Sequence, residues 1–109
     1  CVNFAEEQAK KFGVRATMVG HLGDGNFHVV LPFDPTKKEM YKKIRAFNDT
    51  LIKKALELNG TITGEHGVGL HKKEYLLEEH PDNIPVMKSI KRTLDPNNIM
   101  NPGKIFDLN

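Results

Sequence analysis

Hydrophobic and polar positions divide the chain into helical and extended stretches. Phe4, Gln8, Ala9 and Phe12 share a helical face with charges opposite, and Gly13 suits the position just past a C-terminus, which predicts a helix over residues 3–12. Residues 14–20 are rich in strand formers. Phe27 to Leu31 is apolar apart from His28 and reads as a returning strand covered on both faces, ended by Pro32-Phe33-Asp34-Pro35. Thr36 with Glu39 makes a capping box for the longest helix, where Met40, Ile44, Phe47, Leu51, Ala55 and Leu58 form one apolar stripe. Asn59-Gly60 stops that helix. Thr61-Ile62-Thr63 reads as a short strand, so the helix before it would be a crossover packed on a sheet. Leu70 to Glu79 is a weaker helical stretch stopped by His80-Pro81. Asp82 or Asn83 caps a last helix with Pro85 in its first turn, and Val86, Met87, Ile90 and Leu94 form its apolar face. Leu94-Asp95-Pro96 closes it, and a turn-rich tail follows. Helices beside an antiparallel hairpin make an α+β pattern.

Composition narrows the function classes. At 109 residues the chain is one domain at most. A net charge of +2 gives no ground for nucleic-acid binding or for an anionic membrane, and the paired lysines along the helices read as solvated faces. No apolar run reaches the roughly 20 residues of a transmembrane segment, and no secretory signal is visible. The single cysteine, Cys1, excludes an internal disulfide. This fits a cytoplasmic or organellar setting, peripheral to a membrane at most. The chain opens Cys-Val-Asn, which suggests a piece excised from a longer polypeptide.

Candidate chemistry is concentrated in Gly20-His21-Leu22-Gly23-Asp24-Gly25-Asn26-Phe27-His28 and in Gly64-Glu65-His66-Gly67. Asp24-Gly25 is a preferred pair for a two-residue hairpin turn. That turn would set His21 directly opposite His28, with Cβ atoms about 4.5–5.5 Å apart; alternatively, Gly23 opens a longer loop. Two facing imidazoles can share a metal ion, and Glu65 could add a carboxylate oxygen. Two His and one Glu with an open position suit catalytic zinc, and manganese or iron would accept the same set. His66 then lies beside the metal, free to move a proton. Neighbours on a strand point to opposite faces, so Glu65 and His66 share a site only on a loop, as Gly64, Gly67 and Gly69 suggest. Paired histidines on a strand surface also occur without metal. Asn101-Pro102-Gly103-Lys104 reads as a turn. His71 and Lys72 read as surface residues and His80 as a helix-end residue.

These motifs occur in the same order in one family. Gly20 to His28, Gly60 to Gly69, Leu94-Asp95-Pro96 and Asn101 to Lys104 resemble the C-terminal part of the FAD-linked oxidases of the vanillyl-alcohol-oxidase type. That family includes the glycolate oxidase flavoprotein subunit and the D-lactate and D-2-hydroxyglutarate dehydrogenases. The resemblance covers residues 14–106. It implies an antiparallel sheet packed against helices, as part of a larger cap or substrate domain. It implies that His21, His28 and Glu65 hold a divalent metal, zinc or manganese. His66 would take the hydroxyl proton of a 2-hydroxy acid, and Asn101 and Gly67 would stand near the flavin. Oxidation of a hydroxy acid sends a hydride to an acceptor, which a flavin can be and a side chain cannot. Relatives acting on dicarboxylates carry a polar residue two positions after the second histidine. Val30 stands there, which points to a small monocarboxylate such as lactate or glycolate. The family binds FAD mainly through an N-terminal domain that nothing here matches, so that domain, from the same or another chain, is the implied partner. The arginine expected to hold the substrate carboxylate is missing, and Arg15 is the nearest candidate. The rival readings are a metal-dependent hydrolase using the same His, His and Glu set, and a non-enzymatic metal-binding module.

Overall fold

A computed structural model describes residues 1–32, 34 and 36–109. Among the described residues the order is α1 (Val2–Phe12), β1 (Thr17–Val19), a 3₁₀ turn (Leu22–Asp24), β2 (His28–Val30), α2 (Lys38–Glu57), α3 (Lys73–Glu79) and α4 (Ile84–Leu94). The class is α+β. The chain divides into two compact units, Cys1–Gly60 and Thr61–Asn109.

In the first unit both long helices stop where the sequence says they should. Gly13 takes φ 69°, and the N–H groups of Gly13 and Val14 donate to the carbonyls of Lys10 (3.2 Å) and Ala9 (3.0 Å). α2 repeats the device with Asn59 at φ 59°, where Asn59 and Gly60 donate to Leu56 (3.0 Å) and Ala55 (2.8 Å). These are the paired bonds of a left-handed C-terminal cap. Between the caps lies the core. Ala9, Val14 and Phe47 are buried, and Phe12, Ala16, Val29, Leu31, Met40, Ile44 and Leu51 pack on them. The Phe12 ring stands edge-on to Phe47, with centroids 6.4 Å apart, a favoured aromatic arrangement. Burying a side chain of this size is worth roughly 1.5–3 kcal/mol. The stripe on α2 thus joins α1 in this core, except that Leu58 at its end is exposed.

β1 and β2 pair antiparallel, with Thr17 opposite Val30, Met18 opposite Val29 and Val19 opposite His28. Side chains alternate across a strand. Ala16, Val29 and Leu31 turn to the core, while Val19 and Val30 are more than half exposed. Within this chain β2 is covered on one face, and the outer face with Val30 is the one that another domain would have to cover. The start of α2 also departs from expectation. The backbone N–H and the hydroxyl of Thr36 both donate to Asp34 Oδ1, at 3.0 and 2.7 Å. The helix begins at Lys38 with Lys37 at its N-cap and no side-chain cap bond, so the capping box of Thr36 and Glu39 is not formed. The Asp34 carboxyl is held below its usual value, first by the Thr36 N–H and then by its hydroxyl. Phe33 and Pro35, from the predicted strand-ending segment, lie outside the described residues.

In the second unit Ile62, Leu76 and Ile84 are buried. Thr61-Ile62-Thr63 is not a strand. The Ile62 N–H, which a strand neighbour would have taken, donates instead to Glu79 Oε2 at 3.2 Å. Hence α2 is not a crossover between strands. α3 starts at Lys73, later than residue 70. α4 begins after Asn83 with Pro85 in its first turn, as read, but Asn83 makes no side-chain cap bond. Its apolar face is not core. Ile84 is buried, whereas Val86, Ile90 and Leu94 are 55–77% exposed.

Beyond α4, the Asp95 carboxylate organises the tail. Oδ1 accepts from the Ile99 N–H (3.0 Å), and Oδ2 accepts from the Met100 N–H (2.9 Å) and from Lys91 Nζ. Asp95 is buried, and its pKa is lowered, with the hydrogen bond from Lys91 the largest cause. Lys73 Nζ fixes the next segment by donating to the Gly103 carbonyl (3.1 Å) and to Asp107 (3.0 Å). No described helix is long and apolar enough to cross a membrane.

Candidate active site

The histidine loop belongs to the first unit. Its shape follows from where φ can be positive. Asp24 stays helical and Gly25 alone takes φ 76°, donating to the Leu22 carbonyl at 3.0 Å. The His21 carbonyl accepts from both Asp24 (3.0 Å) and Asn26 (3.2 Å). The connection is therefore a four-residue loop, 22–25, closed by His21 and Asn26, and not a two-residue Asp24-Gly25 turn. The longer alternative opened by Gly23 is the one realised. The register moves by two residues as a result. Val19, not His21, faces His28. In a regular ladder this makes the two histidines diagonal neighbours, with spacing near 7–8 Å. Parity is kept, so His28 lies on the outer face with Val19 and Val30. Gly20 makes the close crossing. At φ 156°, a Cβ there would lie 2.6 Å from Phe27 Cα and 2.8 Å from the Asn26 carbonyl oxygen, so only glycine fits.

The glutamate–histidine loop belongs to the second unit. Glu65 and His66 form a turn, with Glu65 Oε1 and His66 Nε2 3.7 Å apart. The loop does bring the two neighbours to one place, as the glycines around them suggest. Both side chains are exposed, His66 at 73% and Glu65 at 57%. Hydrogen bonds shape the turn. The Thr63 hydroxyl donates to the Gly67 carbonyl (2.7 Å) and accepts from Lys72 Nζ (3.2 Å). Lys72 is thus a half-buried brace, not a free surface lysine. Gly67 has φ 75°, and nothing lies within 4 Å of where its Cβ would be. Its outer side is open to close approach by a flat group.

Asn101 to Lys104 is a turn, as read. The Lys104 N–H donates to the Asn101 carbonyl at 3.3 Å, with Pro102 next and Gly103 at φ 73°. These are the marks of a type II turn. The tail then reaches the glutamate–histidine loop, where the Ile105 N–H donates to the Gly69 carbonyl at 2.7 Å. Two motifs far apart in sequence meet inside this unit.

Sequence reading missed Glu79 and Asp95 as organising residues. Each left a faint sign. Glu79 puts a carboxylate at the C-terminal end of a helix, against its dipole. Asp95 sits between a helix end and a proline.

His21 and His28 in the first unit carry imidazole nitrogens and Glu65 in the second a carboxylate oxygen, donor types that suit zinc or manganese. Comparison with known proteins agrees on the family. The family model "FAD linked oxidases, C-terminal domain" matches residues 1–105. The chain belongs to that family. A probable mitochondrial D-lactate dehydrogenase of Danio rerio is 45% identical over 96 residues, 87% of this chain and 19% of the relative. Glycolate oxidase subunit GlcD of Bacillus subtilis is 41% identical over 99 residues, 90% and 21% of the two chains. D-2-hydroxyglutarate dehydrogenase of Stutzerimonas stutzeri is 43% identical over 90 residues, 80% and 19%. The chain spans about a fifth of the length of these curated relatives.

Proposed function

We propose that this domain is the substrate-side part of an FAD-dependent D-2-hydroxy acid dehydrogenase or oxidase, working with an FAD-binding domain of the same or another chain. The observation that carries this is the exposed Glu65–His66 turn inside a glycine-rich loop, in a chain of this family. His21, His28 and Glu65 would hold a divalent metal, zinc or manganese. Asn101 and the open side of Gly67 would stand against the flavin. When bound, the flavin supplies the hydride acceptor, and the metal supplies positive charge for the hydroxyl and carboxylate oxygens of the substrate. His66, as neutral imidazole, accepts the hydroxyl proton at a ring nitrogen. Its exposure leaves a path for that proton to solvent. Val30, apolar on the outer face beside His28, favours a small monocarboxylate such as lactate or glycolate. The mitochondrial D-lactate dehydrogenase among its relatives supports an organellar setting.

The test is anaerobic flavin reduction by a panel of D-2-hydroxy acids in the flavin-loaded enzyme that contains this domain, alongside metal content by mass spectrometry. Reduction by lactate or glycolate is expected, with about one metal per chain. His66→Ala should lose flavin reduction by a factor of about 10²–10⁴ and keep the metal. The His21→Ala/His28→Ala double variant should lose the metal. Failure of every hydroxy acid to reduce the flavin would overturn the assignment, and absence of any flavin dependence in the intact protein would favour a metal-dependent hydrolase.

A further inference from the structure

We propose that Glu79 is a positioning residue, whose carboxylate fixes the start of the 61–69 loop and through it the aim of Glu65 and His66. The proposal rests on the reading of those two residues as metal ligand and base.

Burial cannot aim these side chains, because both are more than half exposed. The backbone beneath them therefore shares in setting their orientation, and that backbone is held by hydrogen bonds at its two ends. At the far end Gly69 accepts from Ile105. At the near end Glu79 Oε2 accepts from two donors in sequence, the Thr61 hydroxyl (3.1 Å) and the Ile62 N–H (3.2 Å). Glu79 Oε1 lies 3.6 Å from His80 Nε2, and the side chain is only 12% exposed. Ile62 is buried, so the peptide carrying the second donor is anchored. Glu65 follows three residues later, so the Glu79 carboxylate holds the backbone that leads into the Glu65–His66 turn.

The position of the carboxylate is informative. Glu79 is the last residue of α3, a seven-residue helix. The negative end of the helix dipole disfavours a carboxylate there and would favour lysine or arginine. Local helix stability does not account for Glu79. Its two loop donors do. Residues that orient a metal ligand without touching the metal commonly change affinity by about 10–100-fold when removed. Small displacements of a catalytic group cost rate on a similar scale, about 10²-fold for 1 Å.

The experiment uses the flavin-loaded enzyme that contains this domain and measures Mn²⁺ affinity on metal-stripped protein, kcat and KM for a D-2-hydroxy acid, and the melting temperature. Glu79→Ala should weaken Mn²⁺ binding about tenfold or more and lower kcat by a similar factor, measured well below its melting temperature. Glu79→Gln keeps an oxygen able to accept both donors and should recover most of both. Thr61→Val, an exposed near-isostere, removes one donor and should shift both readouts in the same direction by less. It keeps the proposal testable if Glu79→Ala does not fold. A purely structural role predicts a lower melting temperature with Mn²⁺ affinity unchanged in the folded protein, and that result overturns the proposal. Glu65→Ala and His66→Ala run in parallel. If Glu65→Ala loses Mn²⁺ binding while the Glu79 and Thr61 variants stay within twofold of wild type, Glu79 alone is refuted. If Glu65→Ala binds Mn²⁺ normally and His66→Ala turns over normally, the site assignment itself falls and takes this proposal with it.

Discussion

Residues 1–60 and residues 61–109 reach order by different means. The first unit is held by an apolar cluster centred on Phe47, by two left-handed helix caps and by a short hairpin. The second has fewer buried apolar side chains and is tied by charged groups: Glu79 to Thr61 and Ile62, Lys73 to Gly103 and Asp107, Asp95 to Lys91, Ile99 and Met100. Packing tolerates solvent and salt. Charged ties give direction at specific atoms and answer to pH. The unit that carries the proposed base is the one built on directional bonds.

Substitutions can break this contrast, starting with the largest effect. Phe47→Ala removes the largest fully buried side chain of the first unit, and chemical denaturation should show a loss of about 3–5 kcal/mol. Equal stability would mean that the cluster is not the support described. Gly20→Ala comes next. Its Cβ would meet backbone at 2.6 and 2.8 Å, and a strained backbone of this kind costs on the order of 1–3 kcal/mol. The β1–β2 amides should lose protection from hydrogen exchange. Gly25→Ala has the same sign of φ but open space around it, so only the conformational cost remains, about 1 kcal/mol. A Gly20→Ala loss no larger than that of Gly25→Ala would refute the close crossing.

The gentlest probe is acid, and it acts on the second unit. The folded pKa of Asp95 lies below its unfolded value, chiefly because Lys91 donates to it. Its contribution is complete above the usual carboxylate value and is lost as pH falls through the lowered folded value. Exchange protection of the Ile99 and Met100 amides should fade in that acid window while the Phe47 cluster keeps its signals. Asp95→Ala should remove the same two protections at neutral pH. Asp34 is also held low, by Thr36 at the start of α2, so fraying there in acid is the matching event in the first unit.

What could be read from sequence follows the same division. The helix ends at Gly13 and Asn59, the stripe on α2 and the turn at Asn101–Lys104 were legible because local spacing encodes them. The loop that brings Glu65 and His66 together was legible from its glycines. The facing of His21 and His28 was misread because a hairpin turn can be closed in more than one way, and Asp24 avoids the positive φ that the shorter turn demands. The Thr61–Thr63 strand was misread because its donor is taken by Glu79, seventeen residues beyond Ile62, and side-chain pairs at that distance follow no periodic pattern. The α4 face was legible as apolar, but amphipathicity alone does not say what lies against it.

The hairpin offset also bears on how the loop can change length. Loop 22–25 lies outside the paired residues, so its length can change among the common hairpin loop lengths while Val19 stays opposite His28 and the imidazole stays outward. A slip of the ladder itself by one residue would turn the imidazole toward Met18 and the Phe47 side, and bring an apolar neighbour out in its place. Single-residue insertions and deletions should therefore be accepted within 22–25 and rejected within the paired strands. A length-variant library scored by hydrogen-exchange protection of the β1–β2 amides would read out this difference directly.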